Sequence, residues 1–326
     1  MSIKYFCTIF MVSFLLVSCS SPYTQVALTP RNKLIIFGKI HEKDLHPYYF
    51  SKTVRSVYVT KENYKLVLTR LDRWPNLTEI KIDTFNEDIC PYLKNVNNQL
   101  SSLILNTSSM NTLPACIETM PNLRSLALHN MPNLQWSKAF TVLSSLPSLT
   151  KLDLATNSLY NVPDEIKKLK RVNNLNLDNT YITEIPRGLY EMTKLDTLSI
   201  NNNKISTIKE FMFSSVAQNL ICLFLSKNEI TTFEIDKEKR YLFQNLSLSQ
   251  NRIGKLDFDF LNNMPNIESV SFSENDFRQV DNIDNVPKHP IIFIELPCEL
   301  DQDQFIILRK KFPHAYVYCS KADETM

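Results

Sequence analysis

Side chains that could act as nucleophiles or general bases are few in this chain. His129 is the most suggestive histidine, because Ser102 and Ser125 are expected near it, and paired serine and histidine side chains support nucleophilic catalysis. That chemistry also needs a shielded oxyanion site, which an exposed strand face does not provide. Cys222 is a second potential nucleophile, expected to face outward beside a strand. We therefore predict no catalytic residues, and an enzyme using His129 or Cys222 is kept only as an alternative.

Composition and spacing also argue against metals, cofactors and nucleic acids as ligands. His41 and His46 are five residues apart, but no cysteine or carboxylate completes a metal-ligand set around them. The chain has only 3 glycines, which excludes a glycine-rich phosphate loop. Its 36 basic and 34 acidic residues give a net charge of +2, so charge does not indicate nucleic-acid binding. We predict no metal, no cofactor and no nucleic-acid partner.

One stretch, from Leu149 to Pro163, shows how the remaining residues are organised. It follows the pattern L-x-x-L-x-L-x-x-N-x-L. Leu152 and Leu154 are two positions apart, so on a short strand both point to one buried face. Asn157 falls where the chain must turn. A single unit of this kind cannot bury its apolar face, so the pattern predicts that copies stack on one another.

Copies of this unit follow each other at intervals of 23 to 26 residues. Their first positions are Val54, Leu77, Leu100, Leu123, Leu149, Val172, Leu195, Leu220, Phe243 and Ile267. On these residues the chain resembles the leucine-rich-repeat family from Val54 to Leu296. The resemblance implies an α/β fold, a right-handed solenoid or horseshoe with one curved parallel β-sheet on its concave face.

The ninth position of each repeat is expected to hold the turns together. A buried amide there can bond backbone groups of neighbouring turns, which would otherwise be unpaired. We predict this structural role for Asn157, Asn203, Asn228, Asn251 and Asn275. Thr180 replaces asparagine in one repeat. In the first four repeats the position is held by other residues, so we expect a less regular N-terminal half: Glu62, Phe85, Ser108 and Met131.

The N-terminus carries a targeting pattern. Lys4 precedes an apolar run from Tyr5 to Val17, whose 13 residues are too few to span a bilayer, which needs about 20. This predicts a signal peptide over residues 1–18. The sequence Leu16-Val17-Ser18-Cys19 resembles the lipobox of bacterial lipoproteins, and that resemblance implies lipidation at Cys19. An ordinary cleaved signal peptide, with no lipid, is the alternative.

The rest of the chain is divided around the repeats. We expect a tether over residues 19–32, an N-terminal cap over 33–53, about ten repeats over 54–290 and a C-terminal cap over 291–326. Cys298 and Cys319 bracket a predicted helix, an arrangement similar to the disulfide-bonded caps of extracellular leucine-rich-repeat proteins. A bridge between Cys90 and Cys116 is left open, because their positions in consecutive turns are offset by three residues.

Strand alternation identifies the side chains of the concave face. The predicted ligand-binding residues are Asn176, Asp178, Ser199, Asn201, Phe224, Ser226, Ser247 and Ser249. Phe224 is the large apolar side chain among them and is predicted to anchor a partner. We therefore predict a non-enzymatic protein, lipid-anchored in a bacterial cell envelope at the outer membrane or cell surface, that binds a protein or glycan. The alternative is a secreted, non-lipidated receptor or effector.

Overall fold

A computed structural model describes residues 15–18, 25–28, 33–37, 52–83, 85, 88–286 and 289–319. The chain divides into two compact units, Met1–Thr150 and Lys151–Met326. The predicted solenoid is confirmed, because consecutive repeats in each unit contribute neighbouring parallel strands to a sheet. Several predicted features lie outside the described residues: Lys4, Cys19, most of the tether, and the pair His41 and His46.

The described residues of the first unit form seven strands in sequential order. They are β1 Leu15–Ser18, β2 Gln25–Leu28, β3 Lys33–Phe37, β4 Ser56–Val59, β5 Glu79–Asp83, β6 Ser102–Asn106 and β7 Ser125–His129. β1, β2 and β3 pair antiparallel, and the pairs from β3 to β7 are parallel. β3, which lies in the predicted N-terminal cap, is thus the first strand of this unit with a parallel neighbour. β1, at the end of the predicted signal peptide, is paired with β2.

Alternation of apolar residues explains these strands. Ile80 and Ile82 on β5, and Leu103 and Leu105 on β6, are fully buried, while the residues between them are partly exposed. The return segments on the other side of the core are short helices, since each turn has few residues left after its strand. They are α1 Tyr64–Leu68, α2 Cys90–Leu93, α3 Trp136–Ser144 and 3-10 turns at Leu71–Arg73 and Ala115–Thr119.

Ten strands form in the described part of the second unit. They are β8 Lys151–Asp153, β9 Asn174–Asn176, β10 Thr197–Ser199, β11 Cys222–Phe224, β12 Asn245–Ser247, β13 Leu256–Asp257, β14 Ser269–Ser271, β15 Val280–Asp281, β16 Phe293–Leu296 and β17 Tyr316–Cys319. Eight form a parallel sheet, and β13 and β15 form a separate parallel pair. The ladder continues through β16 and β17, beyond residue 290, where the sequence analysis placed the start of a cap.

Short helices again return the chain in the second unit. The α-helices are α4 Lys209–Met212, α5 Ser215–Asn219 and α6 Gln302–Lys311, and the 3-10 turns are Asp164–Lys168, Arg187–Glu191, Phe258–Asn263 and Ile283–Asn285. Asp301 caps α6, since its carboxylate accepts the backbone N–H of Asp303. Three basic residues in the last turn of α6 complement the helix dipole. Within the described residues, no helix is long and apolar enough to cross a membrane.

Asparagine amides connect consecutive turns of the second unit. Asn203, Asn228, Asn251 and Asn275 each accept a backbone N–H from the preceding turn, at 2.9–3.1 Å, and donate to backbone carbonyl oxygens. Asn157 donates to the Leu154 carbonyl oxygen at 2.7 Å. The side chain of Thr180 can donate only through its hydroxyl, which bonds the Leu177 carbonyl oxygen at 2.7 Å, and the Thr180 backbone N–H donates to the Asn203 side-chain oxygen at 3.1 Å.

Two repeats of the first unit place a different residue at this inward position than the repeat alignment suggested, whereas Phe85 and Met131 are buried as aligned. Glu62 and Ser108 are exposed, while Asn63 and Thr107 beside them are buried. The Thr107 hydroxyl donates to the Phe85 carbonyl oxygen at 2.8 Å. A hydroxyl therefore replaces the asparagine amide as the donor to a backbone carbonyl of the preceding turn. The turn is therefore shifted by one residue in each of these two repeats, and the less regular N-terminal half is observed.

In seven successive repeats, the residue before the inward side chain has a left-handed backbone. Positive φ angles of 52–61° occur at the eighth position of successive repeats: Asn130, Thr156, Asn179, Asn202, Lys227, Gln250 and Glu274. Such a conformation turns the chain so that the ninth residue enters the core. Asparagine tolerates it well, but the β-branched Thr156 is strained there.

Among the described residues, each unit has one disulfide bond. Cys90 and Cys116 are bridged in the first unit, with Cα atoms 5.2 Å apart. Cys298 and Cys319 are bridged in the second, with Cα atoms 5.0 Å apart, and this bond ties the end of β17 to the segment before α6. The offset between Cys90 and Cys116 does not prevent a bridge, because α2 and the 3-10 turn that follows Pro114 bring their backbones together.

Candidate functional site

The parallel register of the second unit aligns side chains into two rows on the sheet face turned away from the core. We call this surface, the predicted concave face, the open face. One row runs through Ser199, Phe224, Ser247, Ser271 and Glu295 on β10, β11, β12, β14 and β16. The other row contains Thr197, Cys222, Asn245, Ser269 and Phe293. Adjacent residues in a row are about 4.8 Å apart, the spacing of neighbouring strands.

The predicted ligand-binding residues before β11 largely bond one another. The Asp178 carboxylate accepts the Ser199 hydroxyl at 2.7 Å and the Asn201 backbone N–H at 2.6 Å. The Asn201 side-chain oxygen in turn accepts the Ser226 N–H at 2.7 Å, and Asn176 accepts the Asp178 N–H at 2.9 Å. Asp178 therefore fixes the turns in this stretch, because its carboxylate accepts hydrogen bonds from two residues of the next turn.

The remaining predicted residues line a groove of about 460 Å³ between β11 and β16. We call it the serine groove. Its floor includes Ser247 and Ser271, and Phe224 and Phe293 stand at its two ends. Since three strand spacings separate β11 from β16, these phenylalanines are about 14 Å apart across the strands, and the register offsets them by two residues along the strands. Phe224 is half-buried rather than freely exposed, so the predicted anchor is one wall of the groove.

Three aromatic side chains gather at the far end of the serine groove, on β16 and β17. The Phe293 ring centroid lies 5.8 Å from that of Tyr316 and 5.1 Å from that of Tyr318. Phe293 is 39% exposed and Tyr316 is 66% exposed. We call these three rings the aromatic cluster. The sequence analysis assigned them to a cap and missed them, although the alternation of Phe293 with Glu295, and of Tyr316 with Tyr318, follows the open-face pattern.

Two carboxylates give the serine groove its charge. Glu295 accepts the Ser271 hydroxyl, and Glu274 accepts the Gln250 amide at 3.0 Å. Burial, together with the charge of Glu295 and a hydrogen bond to it, raises the pKa of the Tyr318 phenol. No lysine or arginine is among the described residues that line the groove. The groove is therefore acidic although the whole chain is nearly neutral.

The potential catalytic residues are not assembled into a site. Ser125 and His129 are four residues apart on β7, which separates them by about 13 Å along the strand. Ser102 pairs with Ser125 across the sheet, and His129 pairs with Asn106, so neither serine is opposite the histidine. Cys222 is a free, partly exposed thiol that accepts a weak bond from Asn245 at 3.6 Å. No cluster of metal-binding side chains occurs in the described part of the chain.

The first unit has a polar cluster on its own sheet face that the sequence analysis did not identify. The Lys81 ammonium lies 4.4 Å from the centre of the Tyr58 ring and 3.7 Å from the Asp83 carboxylate. The Tyr58 hydroxyl donates to Asp83, and Asn106 donates to the same carboxylate at 3.2 Å. Burial first, and then Asp83, raises the pKa of Tyr58 to about 12. Since these groups satisfy one another, the cluster stabilises the neighbouring strands.

Comparisons with known proteins agree with the fold. The family described as "Leucine rich repeat" matches residues 147–205. A zebrafish (Danio rerio) protein, transforming growth factor beta activator LRRC33, is 32% identical over 161 residues, which are 45% of this chain and 22% of that relative. This chain therefore matches about a fifth of the length of that curated relative.

Two solved structures are similar in fold. An internalin (inlF) from Listeria monocytogenes has a TM-score of 0.55 at 17% identity, over 91% of this chain and 90% of that chain. A TLR13–ssRNA13 complex gives a TM-score of 0.53 at 17% identity, over 85% of this chain and 49% of that chain. The stacked parallel strands and their asparagine-bonded turns define a repeat solenoid. The chain is a leucine-rich-repeat protein.

Proposed function

We propose that the protein is a non-enzymatic binding protein that holds a protein partner in the serine groove. The observation that carries this proposal is the groove itself, in which two half-exposed phenylalanines flank a floor of small polar side chains. Such an arrangement resembles a binding hot spot, where large anchors lie among polar groups. The open-face strand residues of β8, β9 and β10 are all polar, so they supply no large aromatic anchor.

A protein partner fits the groove better than a nucleic acid. The similar TLR13 structure is a complex with single-stranded RNA. Phosphate binding requires basic side chains, whereas the described residues lining the serine groove include two carboxylates and no basic residue. Among glycans and proteins, the 14 Å separation of the phenylalanines suits a partner that supplies two separate apolar contacts about three strand spacings apart.

Anchoring in a bacterial cell envelope is the second part of the proposal. It is supported by the lipobox-like sequence that ends at Cys19 and by the polar residues that follow it. Two or three acyl chains, each contributing about 0.8 kcal/mol per buried CH2, would hold the protein at a membrane. The open face would then be presented from the end of a short tether.

Partner capture tests the binding function. The full-length chain, expressed in a bacterial host and cross-linked to candidate partner proteins, should lose a captured partner when Phe224 or Phe293 is replaced by alanine. We expect each variant to weaken binding by about fivefold or more, which corresponds to roughly 1 kcal/mol. Lys168→Ala, on the return side of the second unit, is the matched control. Loss of capture in the control but not in the groove variants would contradict the proposal.

Metabolic labelling with radioactive palmitate tests the anchor. Wild type and Cys222→Ala should incorporate label, because Cys222 lies in the folded unit and far along the chain from the targeting segment. Cys19→Ala should remain unlabelled and should either leave the membrane fraction or persist as a precursor. Equal labelling of Cys19→Ala and wild type would refute lipidation at this residue, and an unlabelled, secreted wild type would favour the non-lipidated alternative.

A further inference from the structure

We propose that a second binding site, separate from the serine groove, takes a pyranose ring of a β-linked, glucose-type glycan. The site lies in the turns that follow β8 and β9, where Tyr160 and Tyr181 stack on each other and Tyr160 lines a small cavity. We call these two residues the tyrosine pair. The inference does not depend on the proposed function, because no described residue that lines this cavity also lines the serine groove.

The tyrosine pair is exposed although it consists of two large aromatic side chains. Tyr160 is 61% exposed and Tyr181 is 49% exposed. Their ring centroids are 5.5 Å apart and the ring planes are 21° from parallel, so each ring covers part of one face of the other. Core packing does not account for them, since Leu159 and Ile182 fill the buried positions beside them. The rest of the ring surface is therefore open to a ligand.

The backbone at Tyr181 is held in an unfavourable conformation. Its φ of 64° lies in the left-handed region, which costs free energy for a residue with a bulky side chain. Lys204, at the same position of the next repeat, has no positive φ. The conformation is fixed from both sides, because the backbone N–H groups of Thr180 and Ile182 each donate to the Asn203 side-chain oxygen at 3.1 Å. Strained backbone of this kind is concentrated at functional sites.

The cavity beside Tyr160 is small and has apolar walls. Its volume is about 130 Å³, whereas sites for drug-sized ligands typically have about 300–1,000 Å³. Ile182 and Pro186, which are both buried, line it together with the ring of Tyr160. The cavity therefore suits one ring-sized group of a larger molecule rather than a whole ligand.

The polar groups around the cavity favour a neutral, hydroxylated ligand. Asp164, Glu184 and Arg187 line it, and all three are exposed. Carboxylate oxygens accept hydrogen bonds from hydroxyl groups, and a guanidinium group donates to hydroxyl oxygens, so a sugar can use both kinds of neighbour. A strongly charged ligand group would meet a like charge on one side of the cavity.

A glucose-type ring also matches the aromatic surface. Because all its ring substituents are equatorial, a β-linked glucose-type pyranose presents C–H groups on both faces. These groups carry a slight positive charge and pack against the negative face of an aromatic ring, here that of Tyr160. Tyr181 is a positioning residue that holds the Tyr160 ring. Since the bonds of Asn203 already fix the turn, binding requires little ordering of the site.

Soluble carbohydrates test this inference with the full-length chain. The probe is cellotetraose, a chain of β-linked glucose units, and the control is sorbitol, an open-chain polyol that has similar hydroxyl groups but no ring face. Saturation-transfer NMR titrations should show that cellotetraose binds at least about tenfold more tightly than sorbitol. Acetyl-tetraproline amide tests the other class of partner, because proline-rich segments also dock against aromatic side chains.

Variants locate the binding position. Tyr160→Ala should weaken cellotetraose binding by about fivefold or more, and Tyr160→Phe should retain most of it, since the ring remains. Tyr181→Asn should weaken binding while raising the thermal unfolding midpoint, because asparagine adopts the left-handed conformation more readily. Tyr181→Phe should bind like wild type. Phe213→Ala is the matched control, since Phe213 is 45% exposed but lies at the end of α4.

Three outcomes would overturn the inference. They are equal binding of cellotetraose and sorbitol, equal binding of cellotetraose by wild type and Tyr160→Ala, and tighter binding of the proline peptide than of cellotetraose. The last outcome would assign the tyrosine pair to a protein partner instead. Circular dichroism checks that each variant is folded, and Tyr181→Asn supplies a second test of the site if Tyr160→Ala is not.

Discussion

The side-chain oxygen of Asn228 accepts the backbone N–H of Ile205, one turn earlier, at 3.1 Å. The same side chain donates to the Ile200 and Leu225 carbonyl oxygens, at 2.9 and 3.0 Å. One amide therefore satisfies backbone groups on two consecutive turns that the strands leave unpaired. The stacking of turns depends on this polar connection as well as on the leucine core.

Replacing Asn228 by alanine should lower the free energy of unfolding by about 1–3 kcal/mol, because the buried Ile205 N–H loses its partner. Urea unfolding followed by circular dichroism measures the change. The control is Asn219→Ala, since Asn219 is exposed on α5 and its side-chain bond to Ser215 is exposed to water. Equal stability of Asn228→Ala and wild type would contradict the structural role assigned to the amide.

Thr156→Asn should stabilise the protein by about 1 kcal/mol. Thr156 has a φ of 61°, a conformation that is unfavourable for a β-branched residue and that asparagine adopts readily. A higher thermal unfolding midpoint is the expected result. Thr232→Asn serves as the control, because exposed Thr232 does not have a left-handed backbone. An equal gain in both variants would show that strain at Thr156 is not the cause.

Stability should fall as the pH drops below about 6.5, in part because of His289. Burial lowers the pKa of His289 from its ordinary value of 6.5, although the backbone carbonyls of Met264 and Leu261 act in the opposite direction. The folded state therefore binds a proton less readily than the unfolded chain. His289 therefore contributes fully to the free energy of unfolding when the pH is above its pKa in the unfolded chain. That contribution is lost as the pH falls toward its lower pKa in the folded protein.

Urea unfolding at several pH values between about 7.5 and 5 tests this assignment. His289→Gln should reduce the acid-dependent loss of stability, and His314→Gln should not, because His314 is exposed. An identical pH dependence in wild type and His289→Gln would show that other groups cause the loss.

Removing the disulfide of the second unit should lower stability by about 3 kcal/mol, because a bridge across 21 residues restricts the unfolded chain. The double variant Cys298→Ser with Cys319→Ser measures this change under non-reducing conditions. Cys222→Ser should unfold like wild type, since Cys222 is a free thiol. A reductant should destabilise the wild type at least as much as the double substitution does, because it also reduces the Cys90–Cys116 bond. No response to either treatment would contradict a structural role for the Cys298–Cys319 bond.

The sequence predicted the repeat architecture because the regularly spaced leucines indicate which side chains are buried in the core. It located the inward amides of the second unit for the same reason, since Asn203 and Asn228 fall at one fixed distance from those leucines. It misplaced the inward residue in two repeats of the first unit, and in one of them Thr107 rather than Ser108 turns inward. A shift of one residue in a loop leaves the leucine spacing unchanged, so the pattern contained no information about it.

The candidate site was predicted only in part. Phe224, Ser247 and Ser249 line the groove, but the aromatic cluster was assigned to a cap because β16 and β17 lack the usual leucine spacing and the asparagine. Whether Asp178 is available to a ligand depends on hydrogen bonds to Ser199 and Asn201 in the next turn. Such bonds depend on side-chain conformations that strand alternation cannot specify.

The asparagine bonds also have a direction, since each amide accepts from the turn before its own. A duplicated copy of residues 195–219 would therefore contain its own Asn203, whose amide bonds the turn before it. It would also contain its own Ile205, whose backbone N–H is bonded by the asparagine of the turn after it. Gene duplication or protein engineering could lengthen the array at this point without designing a new junction. The open face would gain one more strand, and the modular unit of growth would be the single turn.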